Sequence, residues 1–368
     1  MTALRLLISG GGTGGHLFPA IATAEELLKR SPESQVFFLG SGRKIDAVGL
    51  STHGFAGAAI DSLGFKGAAL SGKLKAIAAV PKAIYQAISH IRRFRPDVVL
   101  GVGGYVTGPV LTAAKLLGIP TVIHEQNSVP GMANRLLGRL VTRVCLSLPE
   151  SERYFPAKKC VLTGNPVRES IVSLAAEQGE ESAPPARPTL LVLGGSQGAQ
   201  ALNQLVADAF CDAAKTELAG IGLIHQTGKN DEERIKKRYA EKGVEAEVAA
   251  FFTDMAAVYR RADFCLSRAG ATTLAELAIL GLPAILVPYP YAADNHQERN
   301  GNYYVESGGA WMFKQDALTA ASLAGHILSL SGDAARRWAM HRSMRLLARP
   351  GAAKMIADIC FQVAGRSA

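Results

Sequence analysis

The chain has 368 residues, of which 48% are hydrophobic and 19% charged, with 38 glycines and a formal net charge of +9. At roughly 100–200 residues per domain this length predicts two domains, or three, and the composition excludes a disordered chain. Five cysteines with no C-x-x-C pair exclude a disulfide framework and a zinc site, while the positive charge calls for nucleic acid, an anionic membrane surface or a phosphorylated substrate.

The first predicted strand, residues 4–9, is too short for a signal-peptide core, and no later run reaches the ~18 apolar residues of a spanning helix, so a cytosolic chain is expected. Further strands are predicted at 35–39, 97–102, 121–124 and 144–146. Residues 177–188, reading EQGEESAPPARP, are acidic and Pro-rich and read as a linker. Strands follow at 189–193, 222–226, 247–251, 264–267 and 284–287. Helical stretches separate these runs, which is the pattern of βα units around parallel sheets. Both halves open alike, LRLLISGGGTGGH at 4–16 and TLLVLGGSQGA at 189–199, each a strand that breaks into a glycine turn and then a helix. The expected fold class is therefore α/β, with two similar doubly wound domains facing each other across a cleft.

A glycine turn between strand and helix lets a phosphate approach backbone N–H groups at the positive end of the helix dipole. Such turns occur at 10–16, 101–109 and 194–198. Taken singly, each is also explained by tight strand-to-helix packing; three together favour anion binding. Gly10, Gly12 and Gly15 fit the dinucleotide pattern G-x-G-x-x-G, but the next strand ends Phe38-Leu39-Gly40-Ser41-Gly42 without the acid that would hold an NAD ribose. A P-loop is excluded because Gly228-Lys229 is followed by Asn230.

His16 closes the first turn at a helix start, either exposed to water or aimed at a phosphate or a nucleophilic hydroxyl. SRAGATTLAE at 267–276 follows a strand and opens a helix that should stop at Gly281-Leu282-Pro283. Glu276 lies about one and a half turns into that helix, where a carboxylate accepts bonds from two ribose hydroxyls or is simply solvated. The polar run 288–300, ending a strand, is either a binding loop or an ordinary surface loop.

GGTGGH at 11–16, GGYVTGP at 103–109, HEQN at 124–127, GNPVR at 164–168, GGSQGA at 194–199, RAGATTLAE at 268–276 and NHQ at 295–297 occur in order along nearly the whole chain. Together they resemble the MurG family of N-acetylglucosaminyltransferases. The resemblance implies the GT-B fold of two Rossmann-like domains, with an acceptor domain at 1–165, a UDP-GlcNAc domain at 166–345 and a C-terminal helix at 346–368 packing back on the first. It implies inverting transfer of N-acetylglucosamine from UDP-GlcNAc to the muramyl sugar of undecaprenyl-linked lipid I, giving lipid II, with no cofactor and no bound metal. Helix N-termini and Arg side chains would then stabilise the diphosphate leaving group.

The same resemblance implies the site. Ser196 and its loop, with Arg168 nearby, meet the donor pyrophosphate; Glu276 holds the ribose and the backbone near Phe252 the uracil. Ala271, Thr272 and Gln297 face the transferred sugar with Asn127, and Thr273, Leu274 and Ala275 complete the donor helix. Gly12, Gly103, Gly104 and Tyr105 belong to the acceptor end. Thr13, Gly14 and Gly15 count both as donor contacts and as part of the cradle at that end. His16 is the expected general base, since an imidazole takes a proton near neutral pH.

In residues 66–95, Leu74, Ile77, Ile84, Ile88 and Ile91 recur at helical spacing beside Lys73, Lys75, Lys82, Arg92, Arg93 and Arg95. The segment is expected either to rest on anionic lipid, placing the chain peripherally on the cytoplasmic face of the inner membrane, or to be a core helix with solvated lysines. Two rivals remain: a UDP-GlcNAc 2-epimerase on the same fold, and a nucleic-acid-binding module. The second is disfavoured because only Tyr85 and Phe94 interleave the basic residues, and no nucleic-acid partner is expected.

Overall fold

A computed structural model describes residues 3–11, 14–42, 49–62, 70–177, 187–195 and 198–366, with the backbone alone for 70–77. The chain forms two compact units, Met1–Arg168 with Arg349–Ala368, and Glu169–Ala348. The division falls after Arg168, beyond the boundary expected after residue 165, and the chain returns to the first unit at Arg349.

In the first unit the sheet order is β3-β2-β1-β4-β5-β6-β7, all parallel: β1 (Arg5–Ser9), β2 (Gln35–Gly40), β3 (Ala56–Ala59), β4 (Val98–Gly101), β5 (Thr121–Glu125), β6 (Arg143–Leu146) and β7 (Cys160–Leu162). The strands are apolar on both faces because helices cover both. Period two sends Leu6 and Ile8 to one side, where they pack with Val98 and Leu100 against α1 (Gly14–Arg30), while Leu7 and Val99 go to the other. That second layer contains α2 (Leu70–Phe94), α3 (Thr107–Leu116) and, beside α3, α4 (Met132–Leu137).

In the second unit the order is β10-β9-β8-β11-β12-β13, again parallel: β8 (Thr189–Leu193), β9 (Gly222–Gln226), β10 (Glu247–Ala249), β11 (Phe264–Ser267), β12 (Ala284–Leu286) and β13 (Ala310–Met312). Its helices include α5 (Glu169–Glu177), α6 (Gln200–Asp208), α7 (Glu232–Lys242), α8 (Met255–Arg260), α9 (Ala271–Leu280), α10 (His296–Glu306), α11 (Ala320–Gly332) and α12 (Ala334–Leu346). The helix α9 does stop at Gly281, which takes the left-handed φ of +67°. The last helix, α13 (Ala352–Val363), returns to the first unit and buries Ile356, Cys360 and Phe361 beside α1.

In each sheet the order reverses next to the first strand, so β1 lies beside β4 and β8 beside β11. Loops leaving the carboxyl ends of two such strands part in opposite directions and open a crevice for ligands. All the glycine turns predicted to hold phosphate leave these strands: β1, β4 and β8.

Candidate functional site

In the first unit the loops after β1 and β4 meet at backbone distance. Gly103 and Gly104 have φ of +102° and +89°, which only glycine adopts without strain. A Cβ on Gly103 would lie 2.8 Å from His16 Cε1, and one on Gly104 would lie 3.0 Å from the Gly11 carbonyl oxygen. GGTGGH and GGYVTGP are thus two sides of one construction. His16, on the first turn of α1, presents Nδ1 to Gln126 Oε1 at 3.2 Å. Gln126 Nε2 donates to the Val102 carbonyl at 2.9 Å and to His124 Nδ1 at 3.1 Å, and His124 Nε2 lies 3.0 Å from Ser147 Oγ. Glu125, between them, faces the opposite side of the strand and accepts from the Asn127 N–H at 3.0 Å and Asn134 Nδ2 at 2.8 Å. Burial raises its pKa, and these donors partly offset the shift.

In the second unit the turn after β8 is folded onto neighbouring backbone. A Cβ on Gly198, whose φ is +79°, would sit 2.4 Å from the Thr227 carbonyl oxygen. Asn203 on α6 secures the same carbonyl, donating from Nδ2 to Thr227 O and to Asp231 Oδ2 at 2.8 Å each. The helix α9 begins after Gly270 with no side-chain cap. Its Leu274 N–H bonds to the Gly270 carbonyl at 3.0 Å, so the amides of Ala271, Thr272 and Thr273 are those that helix geometry turns outward, toward an anion. Glu276, only 4% exposed, accepts at Oε2 from the Tyr259 hydroxyl at 2.8 Å. Arg268 donates to the Val287 and Pro288 carbonyls at 3.0 and 3.2 Å and to Gln315 Oε1 at 2.6 Å, tying down the loop that follows β12. That loop passes through Asp294 and Asn295 at φ of +52° and +54°, which short polar side chains tolerate, and Gln297 Oε1 takes the Tyr289 N–H at 2.9 Å.

Each unit also encloses one neutral histidine. Burial pushes both His124 and His225 down to about 3 from an ordinary 6.5. Between those values the unfolded chain binds protons that the folded chain refuses, so their stability contribution is complete above pH ~6.5 and is lost toward pH ~3. The urea midpoint should therefore fall progressively between pH 7.5 and pH 5. A flat or rising midpoint over that interval would contradict the buried neutral assignment.

Residues 6–146 match the glycosyltransferase family 28 N-terminal domain and residues 189–356 its C-terminal domain. The chain belongs to glycosyltransferase family 28. It is 53% identical over 362 residues to the UDP-N-acetylglucosamine–N-acetylmuramyl-(pentapeptide) pyrophosphoryl-undecaprenol N-acetylglucosamine transferase of Desulfotalea psychrophila, spanning 98% of this chain and 97% of that protein. The transferase of the same name from Syntrophotalea carbinolica is 44% identical over 99% of this chain and 100% of its own length. Among solved structures, Acinetobacter baumannii MurG superposes with a TM-score of 0.76 at 31% identity, covering 98% of this chain and 99% of that one. A UDP-GlcNAc 2-epimerase from Neisseria meningitidis has a TM-score of 0.66 at 15% identity, covering 97% of this chain and 99% of that one, a likeness of fold alone. The two Rossmann-like units are those of a family 28 enzyme with the GT-B fold.

Against this family 28 frame, the first unit brings together His16, Gly103 and Gly104, with Tyr105 beside them in sequence and half-exposed. Gly14 is buried and Gly15 exposed on the same turn as His16. Gly12, Thr13 and Ser196 lie outside the described residues. Three of the expected residues have surroundings that bear on their roles. Leu274 is fully buried and its amide is committed within the helix, so it offers a ligand neither side chain nor N–H. Arg168, placed by sequence in the nucleotide domain, ends the first unit and stacks over Phe18 at 5.1 Å. The Phe252 N–H is donated to Gln226 Oε1 at 3.1 Å, so a uracil docking there uses another backbone group or displaces Gln226.

The apolar stripe expected to meet lipid also changes. Ile91 is buried and Ile84 and Ile88 pack against the first unit's core, because the helix needs that stripe to cover the sheet. Lys66 lies outside the described residues, as do the side chains of Lys73, Leu74, Lys75 and Ile77. What α2 exposes is Tyr85 with Lys82, Arg92 and Arg93. Sequence reading missed the exposed Leu116, Met132, Leu136 and Leu140, which α3, α4 and the following turn present beside Lys115, Arg135 and Arg139. Their signal was an apolar residue on the polar side of short helices, legible only once the buried side is known. Gln126, Tyr259 and Asn203, each bonded to a key residue, were also missed.

Proposed function

We propose that the chain transfers N-acetylglucosamine from UDP-GlcNAc to the muramyl sugar of undecaprenyl-linked lipid I, yielding lipid II and UDP with inversion at the anomeric carbon. The observation that carries this reading is the near-full-length 53% identity to a transferase named for that reaction. The geometry agrees with a division of labour: an acceptor half-site on the first unit around His16, and a donor half-site on the second. His16 takes the proton of the attacking hydroxyl as its oxygen bonds to the anomeric carbon, and the bond to UDP breaks on the opposite face. The Gly194–Gly198 turn and the N-terminal amides of α9 receive the diphosphate, and Glu276 takes the ribose. Incubation with UDP-GlcNAc and a lipid I analogue should give disaccharide and UDP, undiminished by chelator. Epimerised UDP sugar without disaccharide would favour the 2-epimerase reading, and loss on chelation would overturn metal independence.

The chain is further proposed to sit peripherally on the cytoplasmic face of the inner membrane. None of the helices among the described residues is long and apolar enough to cross a bilayer. Support comes from Leu116, Met132, Leu136 and Leu140, exposed among basic side chains, since apolar area and cationic charge both favour an anionic surface. Vesicles with anionic lipid should carry the protein on flotation, neutral ones much less. Met132→Asp with Leu136→Asp should release it; undiminished flotation of that variant would remove the patch from the interaction.

A further inference from the structure

We infer that Gln126 is a positioning residue that holds His16 in the tautomer whose Nε2 carries the lone pair. This deepens the proposed function and rests on its assignment of His16 as base. The orientation of the Gln126 amide follows from its partners. The Val102 carbonyl, 2.9 Å away, can only accept, so the atom facing it is the NH2 group. Its second hydrogen is directed to His124 Nδ1 at 3.1 Å, which must therefore be an acceptor. The proton of neutral His124 is then on Nε2, where Ser147 Oγ at 3.0 Å and the Gly164 carbonyl at 3.3 Å receive it. The amide oxygen of Gln126 is left facing His16 Nδ1 at 3.2 Å, and an oxygen of this kind cannot donate. Nδ1 therefore bears the hydrogen, and the basic lone pair of neutral His16 is on Nε2.

The relay is anchored at both ends. Val102 opens the turn after β4 that packs on the His16 ring through Gly103, and His124 is fully enclosed. His124 is the titratable group nearest the relay, and neutral as it is, it places no charge there. The Glu125 carboxyl is turned to the other face and engaged by Asn127 and Asn134, and Arg168 lies over Phe18 farther along α1. When His16 accepts the hydroxyl proton at Nε2, the imidazolium keeps its Nδ1–H bond to the Gln126 oxygen. The proton stays on His16, because an amide oxygen is far too weak a base to take it.

Nitrogen NMR of the His16 ring in the wild-type protein, above its titration, tests this directly. Nε2 should have the shift of an unprotonated ring nitrogen and Nδ1 that of a protonated one; the reverse would overturn the inference whatever His16 does in catalysis. Gln126→Met keeps the length and removes the amide, and should lower kcat at least tenfold with UDP affinity within about twofold. Gln126→Glu places a carboxylate beside Nδ1, which favours the imidazolium, and should move the acid limb of the kcat/KM profile upward by about one pH unit. A purely structural role would lower the profile without moving it, and an unmoved limb would overturn the inference. If His16→Ala proves fully active while the tautomer is as inferred, the base assignment fails and the relay stands.

Discussion

Replacing His16 with Ala is expected to lower kcat by roughly 10²–10⁴-fold, the usual contribution of a positioned general base. UDP affinity should change by no more than about threefold, since the α9 amides and Glu276, proposed to take the diphosphate and the ribose, belong to the second unit and His16 to the first. The acid limb of the pH–rate profile should also disappear. A base works only while unprotonated, so the wild-type rate falls as pH drops through the His16 titration; with no imidazole that fall has no cause. The substitution removes the donor that faces the buried Gln126 oxygen, an omission that costs about 1–3 kcal/mol where water cannot enter. Thermal unfolding should be measured alongside turnover to separate the two effects. A variant that is folded, binds UDP and turns over at near-wild-type rate would remove His16 from the chemistry.

The central strands of both sheets were legible because parallel strands covered on both faces must be apolar throughout, as in LRLLIS and TLLVL. Of the edge strands, β10 was legible within residues 247–251, but β3, β7 and β13 were not. AGAA, CVL and AWM are short and have a neighbour on one side only, so nothing forces a continuous apolar run on them. The glycine turns were legible as motifs, and the parallel 3-2-1-4-5-6 order, extended by β7 in the first sheet, explains why they matter: they flank the reversal of strand order. What a motif could not supply was the direction of side chains. Leu274 stands in the middle of RAGATTLAE yet points into the core, whereas Gln126 in HEQN points at the proposed base. Period alone could not tell an inward stripe on α2 from a lipid-facing one; the need to cover a sheet accounts for the inward packing of Ile84, Ile88 and Ile91.

The second large effect expected concerns the donor. Glu276→Ala should raise the UDP Kd and the UDP-GlcNAc KM by roughly 10–150-fold, the equivalent of the ~1.5–3 kcal/mol that a hydrogen bond to a charged group contributes. At saturating donor kcat should be nearly unchanged, because the ribose is bound equally in ground and transition states. Tyr259 complicates the simple substitution. Its buried hydroxyl donates to Glu276 Oε2, so Ala at 276 deletes a buried hydrogen bond between α8 and α9 as well as any contact with the ribose. Glu276→Gln keeps an acceptor for Tyr259 and gives up only the charge and one acceptor toward the ribose; it should retain thermal stability while still weakening UDP. Tyr259→Phe should weaken UDP less than either, by releasing the carboxylate from its fixed rotamer. The decisive comparison pairs these variants with a 2′-deoxyribose donor. If Glu276 holds the ribose, removing the hydroxyl and removing the carboxylate delete the same bond, and their penalties will not add. Additive penalties would place the ribose elsewhere and leave Glu276 as a buried structural carboxylate that receives the Tyr259 hydroxyl.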